Sequence, residues 1–145
     1  MKSGWLVGLW LACAVATPAL ATVIQMDCQT GERANSYFQP ARIKVKLDTA
    51  SGIAEIRDDL TAKLNDRPVR GKIENFNDIR LTIIWRLRDL PRDPKLSYPA
   101  GVANVLHQRL TVRTGGAGTL VSTTAGQSVH NMREFRADLK CKVLP

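Results

Sequence analysis

The sequence predicts a mainly β protein: an antiparallel meander that closes into a small barrel or sandwich, with its two ends joined by a disulfide. Three observations carry this expectation. Apolar and polar residues alternate in segments that recur at intervals of roughly ten residues. The breaks between segments are rich in Gly, Asn, Asp and Ser, the residues that turns use. After a leader at the N-terminus, two cysteines are left, Cys28 near the start and Cys141 near the end.

Residues 1–21 read as a cleavable secretory leader. One basic residue, Lys2, precedes the apolar run Trp5 to Val15, Thr17-Pro18 breaks the run, and Ala19-Leu20-Ala21 has the small-x-small pattern of a peptidase site, so cleavage is expected after Ala21. The competing reading, a retained membrane anchor, suffers from the shortness of the run and from Pro18. Leu11-Ala12-Cys13 departs from a lipoprotein box because Trp10 stands where an aliphatic residue is expected. The mature domain is then 22–145, single and carrying +7, since the whole chain has a formal charge of +8 and loses only Lys2.

The first strand places Ile24, Met26 and Cys28 on one face. Ile43, Val45 and Leu47 alternate with Arg42, Lys44, Lys46 and Asp48 before the turn Thr49-Ala50-Ser51-Gly52, which signals a hairpin. Residues 53–64 admit two readings. Ile53, Ile56, Leu60 and Leu64 have helical spacing with Asp58-Asp59 available as a cap, whereas the alternative is two strands turning near Asn65-Asp66. The clearest strand sets Ile79, Leu81, Ile83, Trp85 and Leu87 against Arg80, Thr82, Ile84, Arg86 and Arg88. Leu106-Gln108-Leu110-Val112 follows, then Gly115-Gly116-Ala117-Gly118 turns into a strand from Thr119 to Thr124. Phe135-Ala137-Leu139-Cys141-Val143 ends the chain. Pro91, Pro94 and Pro99 give the connection from Asp89 to Gly101 an extended character.

In an oxidising compartment Cys28 and Cys141 most simply pair with each other. A bond between the apolar faces of the first and last strands would remove the free edges of the meander, which favours closure.

Signals for catalysis are weak. Gly126-Gln127-Ser128-Val129-His130 approximates a nucleophile elbow, but His130 stands where the second Gly is needed. Ser128 with His107 or His130 therefore stays a minor hydrolase alternative, and no catalytic residue is assigned. The two histidines are far apart in sequence and lack carboxylate or Cys partners at ligand spacing, so neither metal nor cofactor is expected. Asp58, Asp59 and Glu134 sit beside basic residues and read as ion-pair partners rather than as a glycosidase pair.

Strand alternation does organise the cations. Arg80, Arg86 and Arg88 share one strand's polar face, His107, Arg109 and Arg113 the next, and Arg136, Lys140 and Lys142 the last. Neighbouring strands would merge these into one cationic surface, whose guanidinium forks suit phosphate and carboxylate. The expected partner is an anionic envelope lipid, a polysaccharide or an acidic protein. Nucleic acid is not expected, because base-stacking aromatics are missing from the exposed faces and export separates the chain from it. The functional expectation is a periplasmic or secreted, non-catalytic binding protein; the alternative is a carrier with an apolar cavity inside the barrel. In layout the chain resembles small exported β proteins of Gram-negative bacteria in which one disulfide joins the two ends of a compact barrel or sheet.

Overall fold

A computed structural model describes residues 22–33, 37–64, 67–89, 105–125 and 133–145. Eight antiparallel strands form a closed barrel in chain order: β1 Val23–Thr30, β2 Arg42–Asp48, β3 Ile53–Asp58, β4 Val69–Phe76, β5 Arg80–Leu87, β6 Val105–Arg113, β7 Ala117–Ala125 and β8 Arg133–Leu144. The single-turn helix α1, Thr61–Leu64, follows β3. Closure comes from β1 pairing with β8, so the barrel alternative holds and the sandwich does not.

Period-two patterning explains why these segments are strands. In β2 and β3 burial alternates at every position, with Ile43, Val45, Leu47, Ala54 and Ile56 inside and Lys44, Lys46, Glu55 and Arg57 outside. The bore is filled rather than hollow at its aliphatic layers: Ile43, Leu47, Ile56, Ile83, Leu87, Leu106, Leu110 and Leu120 are fully buried. Each such side chain contributes about 1.5–3 kcal/mol by leaving water, and eight strands leave a bore that side chains can fill. The outer wall is polar and charged, the reverse of a lipid-facing barrel, where a cation at mid-membrane costs about 2–4 kcal/mol. Among the described residues no helix is long and apolar enough to cross a membrane.

Cys28 and Cys141 stand directly opposite each other in the β1–β8 register and form a disulfide across it. The bond therefore lies on the seam that closes the barrel.

Residues 53–64 resolve into parts of both expectations. Ile53–Asp58 is a strand, and helix begins only at Thr61. The switch is local chemistry at Asp58, which alternation turns inward: its Oδ1 accepts the N–H groups of Leu60 (2.9 Å) and Thr61 (2.6 Å), while the Thr61 hydroxyl accepts the Asp58 N–H at 2.8 Å. These bonds satisfy donors that the first helical turn leaves open. Two antiparallel strands, β3 and β4, do flank this connection, with α1 inside it; Asn65 and Asp66, where the turn was expected, lie outside the described residues. Strand β4 carries little apolar alternation because its inward positions include Gly71. A Cβ there would lie 2.5 Å from Ile56 Cδ1, so the gap in the pattern makes room for Ile56.

Up-and-down order sorts the connections. One end of the barrel, the turn end, has the short connections 49–52, 77–79 and 114–116 together with Val23 and Leu144. The other, the loop end, has 31–41, 59–68, 88–104 and 126–132. At the loop end Phe38, Gln39 and Pro40 are buried and plug the mouth. Gln108, inward between Leu106 and Leu110, donates from Nε2 to the Phe38 carbonyl (3.1 Å) and accepts the Ser122 hydroxyl (3.0 Å) on Oε1. Phe38 also stacks on Phe135 at 5.5 Å between ring centroids. One buried amide thus anchors the plug to the barrel wall, which satisfies polar groups that would otherwise be costly inside.

Candidate functional site: a cationic groove on the barrel wall

The registers decide which of the sequence-selected cations meet. Arg86 faces His107 across β5–β6, and His107 faces Thr123 across β6–β7, which in turn faces Glu134 on β8. One rung along, Lys72, Ile84, Arg109, Val121 and Arg136 follow one another from β4 to β8. Together these rungs line a groove of about 690 Å³ on the outer wall, whose cationic members are Arg70, Lys72, Arg86, Arg88, Arg109 and Arg136. Small or short side chains at Val121 and Thr123 keep its floor low between the flanking arginines.

Arg86, Arg88, Arg109 and Arg136 were legible from alternation, whereas Arg70 and Lys72 join them only because β4 lies beside β5. Arg80 and Arg113 face each other at the turn end of the same strands, outside the groove. Lys140 stands opposite Ala117, also outside it. Two carboxylates enter the groove region: Glu74 accepts from Arg109 at 3.4 Å and Glu134 from Arg136 at 2.8 Å. Both pairs are well exposed, so each contributes at most about 1 kcal/mol. Among the described residues, Arg70, Lys72, Arg86 and Arg88 have no carboxylate within ion-pair distance. Four like charges without partners repel one another, and an anion placed among them relieves that repulsion.

His107 reports this field. Partial burial, then the neighbouring Arg86 and Arg88 charges, hold its pKa below the usual histidine value. Both causes disfavour the imidazolium form.

A second concavity, of about 430 Å³, lies near α1 and is lined by Arg42, Lys44, Arg57 and Arg67 but also by Asp58 and Asp59. Two acids thus lie among its four cations, and Arg42 is paired from within the protein. Arg42 donates to both carboxylate oxygens of Asp27, holding the Asp27 pKa below its ordinary value, and Asp59 Oδ1 accepts the Ala41 N–H at 3.0 Å. The groove across β4–β8 is the more strongly cationic of the two.

Asp58 itself is a stability element. Burial pushes its pKa up to about 6, with the Asp59 charge adding to the rise and the Thr61 and Leu60 N–H bonds opposing it. Its Oδ2 has no partner among the described residues. A folded pKa above the ordinary 3.8 means that the folded state favours the protonated acid, so the contribution of Asp58 to stability is fullest below about pH 4 and is lost as pH rises through about 6. Asp58→Asn keeps an Oδ1 acceptor for the same two N–H groups but does not titrate. Between pH 4 and pH 6 wild type should lose about 1–3 kcal/mol relative to the variant, read from urea denaturation at each pH. Parallel stability curves for the two proteins would refute this role.

Among the described residues no group of three or more metal-ligating side chains converges. Ser128 and His130, the elbow-like pair, lie outside the described residues, as do the leader 1–21 and its Cys13. Comparison of the chain with protein-family models, curated proteins and solved structures finds no match to any of them.

Proposed function

We propose that this is an exported, non-catalytic protein that binds an anionic envelope component through the groove across β4–β8. The leader-like N-terminus and the Cys28–Cys141 disulfide support export to an oxidising compartment. The observation that carries the binding reading is the convergence on one groove of six cationic side chains, five from β4, β5, β6 and β8 and Arg88 just past the end of β5, four of the six without an ion-pair partner among the described residues. Arginine forks grip phosphate, sulfate and carboxylate groups in pairs, and the low floor at Val121 and Thr123 leaves space for a chain laid across the strands. Filling of the bore by aliphatic side chains and closure of the loop end by Phe38, Gln39 and Pro40 weigh against the carrier alternative.

Fluorescence anisotropy with labelled dextran sulfate tests the site. Affinity should fall steeply with added salt, because exposed charges are screened over about 10 Å at 0.1 M. Arg86→Ser/Arg88→Ser/Arg109→Ser should weaken binding about a hundredfold at low salt, taking roughly 1 kcal/mol for each lost guanidinium. Arg80→Ser/Arg113→Ser removes charge from the same strands outside the groove and should change it less than about threefold. Binding should also raise the His107 pKa, so affinity increases as pH falls through the histidine range, and proton NMR of the imidazole follows this directly. Equal losses from the two sets of substitutions would reduce the groove to diffuse surface charge.

A further inference from the structure

The exposed large hydrophobic residues among those described are Val23, Ile53, Phe76, Ile79, Val143 and Leu144, and all six lie at the turn end of the barrel. Val23 and Ile53 flank Asp48 on the first three strands, and Leu144 lies beside Gln25 of β1. Phe76 and Ile79 project from the β4–β5 connection, exposed by 53% and 72%. Scattered single apolar residues on a surface are ordinary; collection of the whole set at one end is not.

The Ile79 turn is built rigidly. Asn77 Oδ1 accepts the N–H groups of Ile79 (3.0 Å) and Arg80 (2.9 Å), and the Thr114 N–H donates to the Ile79 carbonyl at 3.0 Å. The Thr114 hydroxyl bonds the carbonyls of Asp78 and Ile79 as well, tying this turn to the β6–β7 turn. Cations border the apolar set: Arg80 and Arg113 face each other beside Ile79 with no carboxylate partner among the described residues. Of the nearby acids, Asp48 is turned into its own turn, accepting from Ala50 and Ser51, which leaves Asp78 as the acid of the Ile79 turn. The 21 residues that precede Thr22, with their apolar run Trp5 to Val15, join the barrel at this same end.

We propose that the turn end docks on an anionic lipid surface, with Phe76 and Ile79 entering the interface and Arg80 and Arg113 contacting lipid phosphates. Apolar insertion combined with basic attraction is how peripheral proteins hold to such membranes. The groove opens on the barrel wall toward the other end, so this docking leaves it free to face the aqueous phase. The surface does not depend on the groove's ligand.

All eight strands, the core and the disulfide lie within 22–145, so that segment forms the barrel without the leader. Oxidised 22–145 is floated with vesicles of phosphatidylcholine alone or mixed with phosphatidylglycerol. Wild type should bind the anionic vesicles at least about tenfold more tightly than the neutral ones. Phe76→Ser/Ile79→Ser, both exposed and so harmless to the core, should lose at least about tenfold, and Arg80→Ser/Arg113→Ser a similar amount. Arg86→Ser/Arg88→Ser/Arg109→Ser, which removes more charge but from the groove, should lose less than the Arg80→Ser/Arg113→Ser pair. The proposal is overturned if the apolar substitutions leave flotation unchanged, if only the groove substitutions abolish it, or if the turn end instead drives self-association in sedimentation equilibrium without vesicle binding.

Discussion

Reduction of the Cys28–Cys141 disulfide, or Cys28→Ser/Cys141→Ser, is expected to be the most damaging single change to this protein. The bond closes a loop with a sequence separation of 113 residues. In the chain-entropy account such a loop restricts the unfolded ensemble by about 4.8 kcal/mol, a large share of the 5–15 kcal/mol typical of a whole domain. Its position matters as much as its length. Because β1 and β8 are the one neighbouring strand pair not joined by a direct chain connection, the reduced protein would open at this seam and expose two strand edges. Urea denaturation with and without reductant should show the loss in the midpoint, and hydrogen exchange in β1 and β8 should rise before that of β5 and β6. Uniform exchange across all strands after reduction would contradict the seam account.

Gly116→Ala is the second change expected to have a large effect. Gly116 has φ +90°, and a Cβ there would lie 2.3 Å from the Cys141 carbonyl oxygen, a backbone atom that has no rotamer by which to retreat. The contact is close for a reason: the Gly116 carbonyl accepts the Cys141 N–H at 2.7 Å, which fastens the β6–β7 turn to β8 beside the disulfide. Gly115 supplies the control. Its φ is +95°, yet nothing lies within 4 Å of its would-be Cβ. Gly115→Ala should therefore cost only the backbone strain of about 1–2 kcal/mol, whereas Gly116→Ala should cost about 3 kcal/mol or more. Thermal melts of the two oxidised variants compare them directly; equal melting temperatures would mean that the turn shifts away from Cys141 at little cost.

How much of this was legible in the sequence varies with what each inference needs. Alternation needs only neighbours in sequence, so β2, β5, β6 and β8 could be read, and with the paired cysteines they led to a barrel. It failed at β4, where the inward Gly71 interrupts the apolar series to accommodate Ile56. Around Ile56 and Leu60 the same residues fit strand and helix spacing alike, and the inward Asp58, accepting bonds from the next two N–H groups along, settled where one gives way to the other. The groove was half visible. Alternation says which face of a strand carries Arg80 or Arg86, but not the height at which a neighbouring strand meets it; only the register separates Arg86 beside His107 from Arg80 beside Arg113. Arg70 and Lys72 were out of reach until β4 had a place beside β5.

The seam between β1 and β8 also sets the order of assembly. Every other strand pair joins consecutive segments, so seven ladders can form as the chain emerges from its N-terminus. The eighth joins Gln25–Thr30 to residues 139–144, and waits until almost the last residue is available. Until then β1 is a half-paired edge carrying a free thiol, and the nascent sheet is a curved ribbon open on both sides. The Cys28 and Cys141 thiols come to face each other in register only once β8 is in place, so the disulfide that an external thiol oxidant then closes, taking two electrons and two protons from the pair, works as a latch that records successful completion of the barrel.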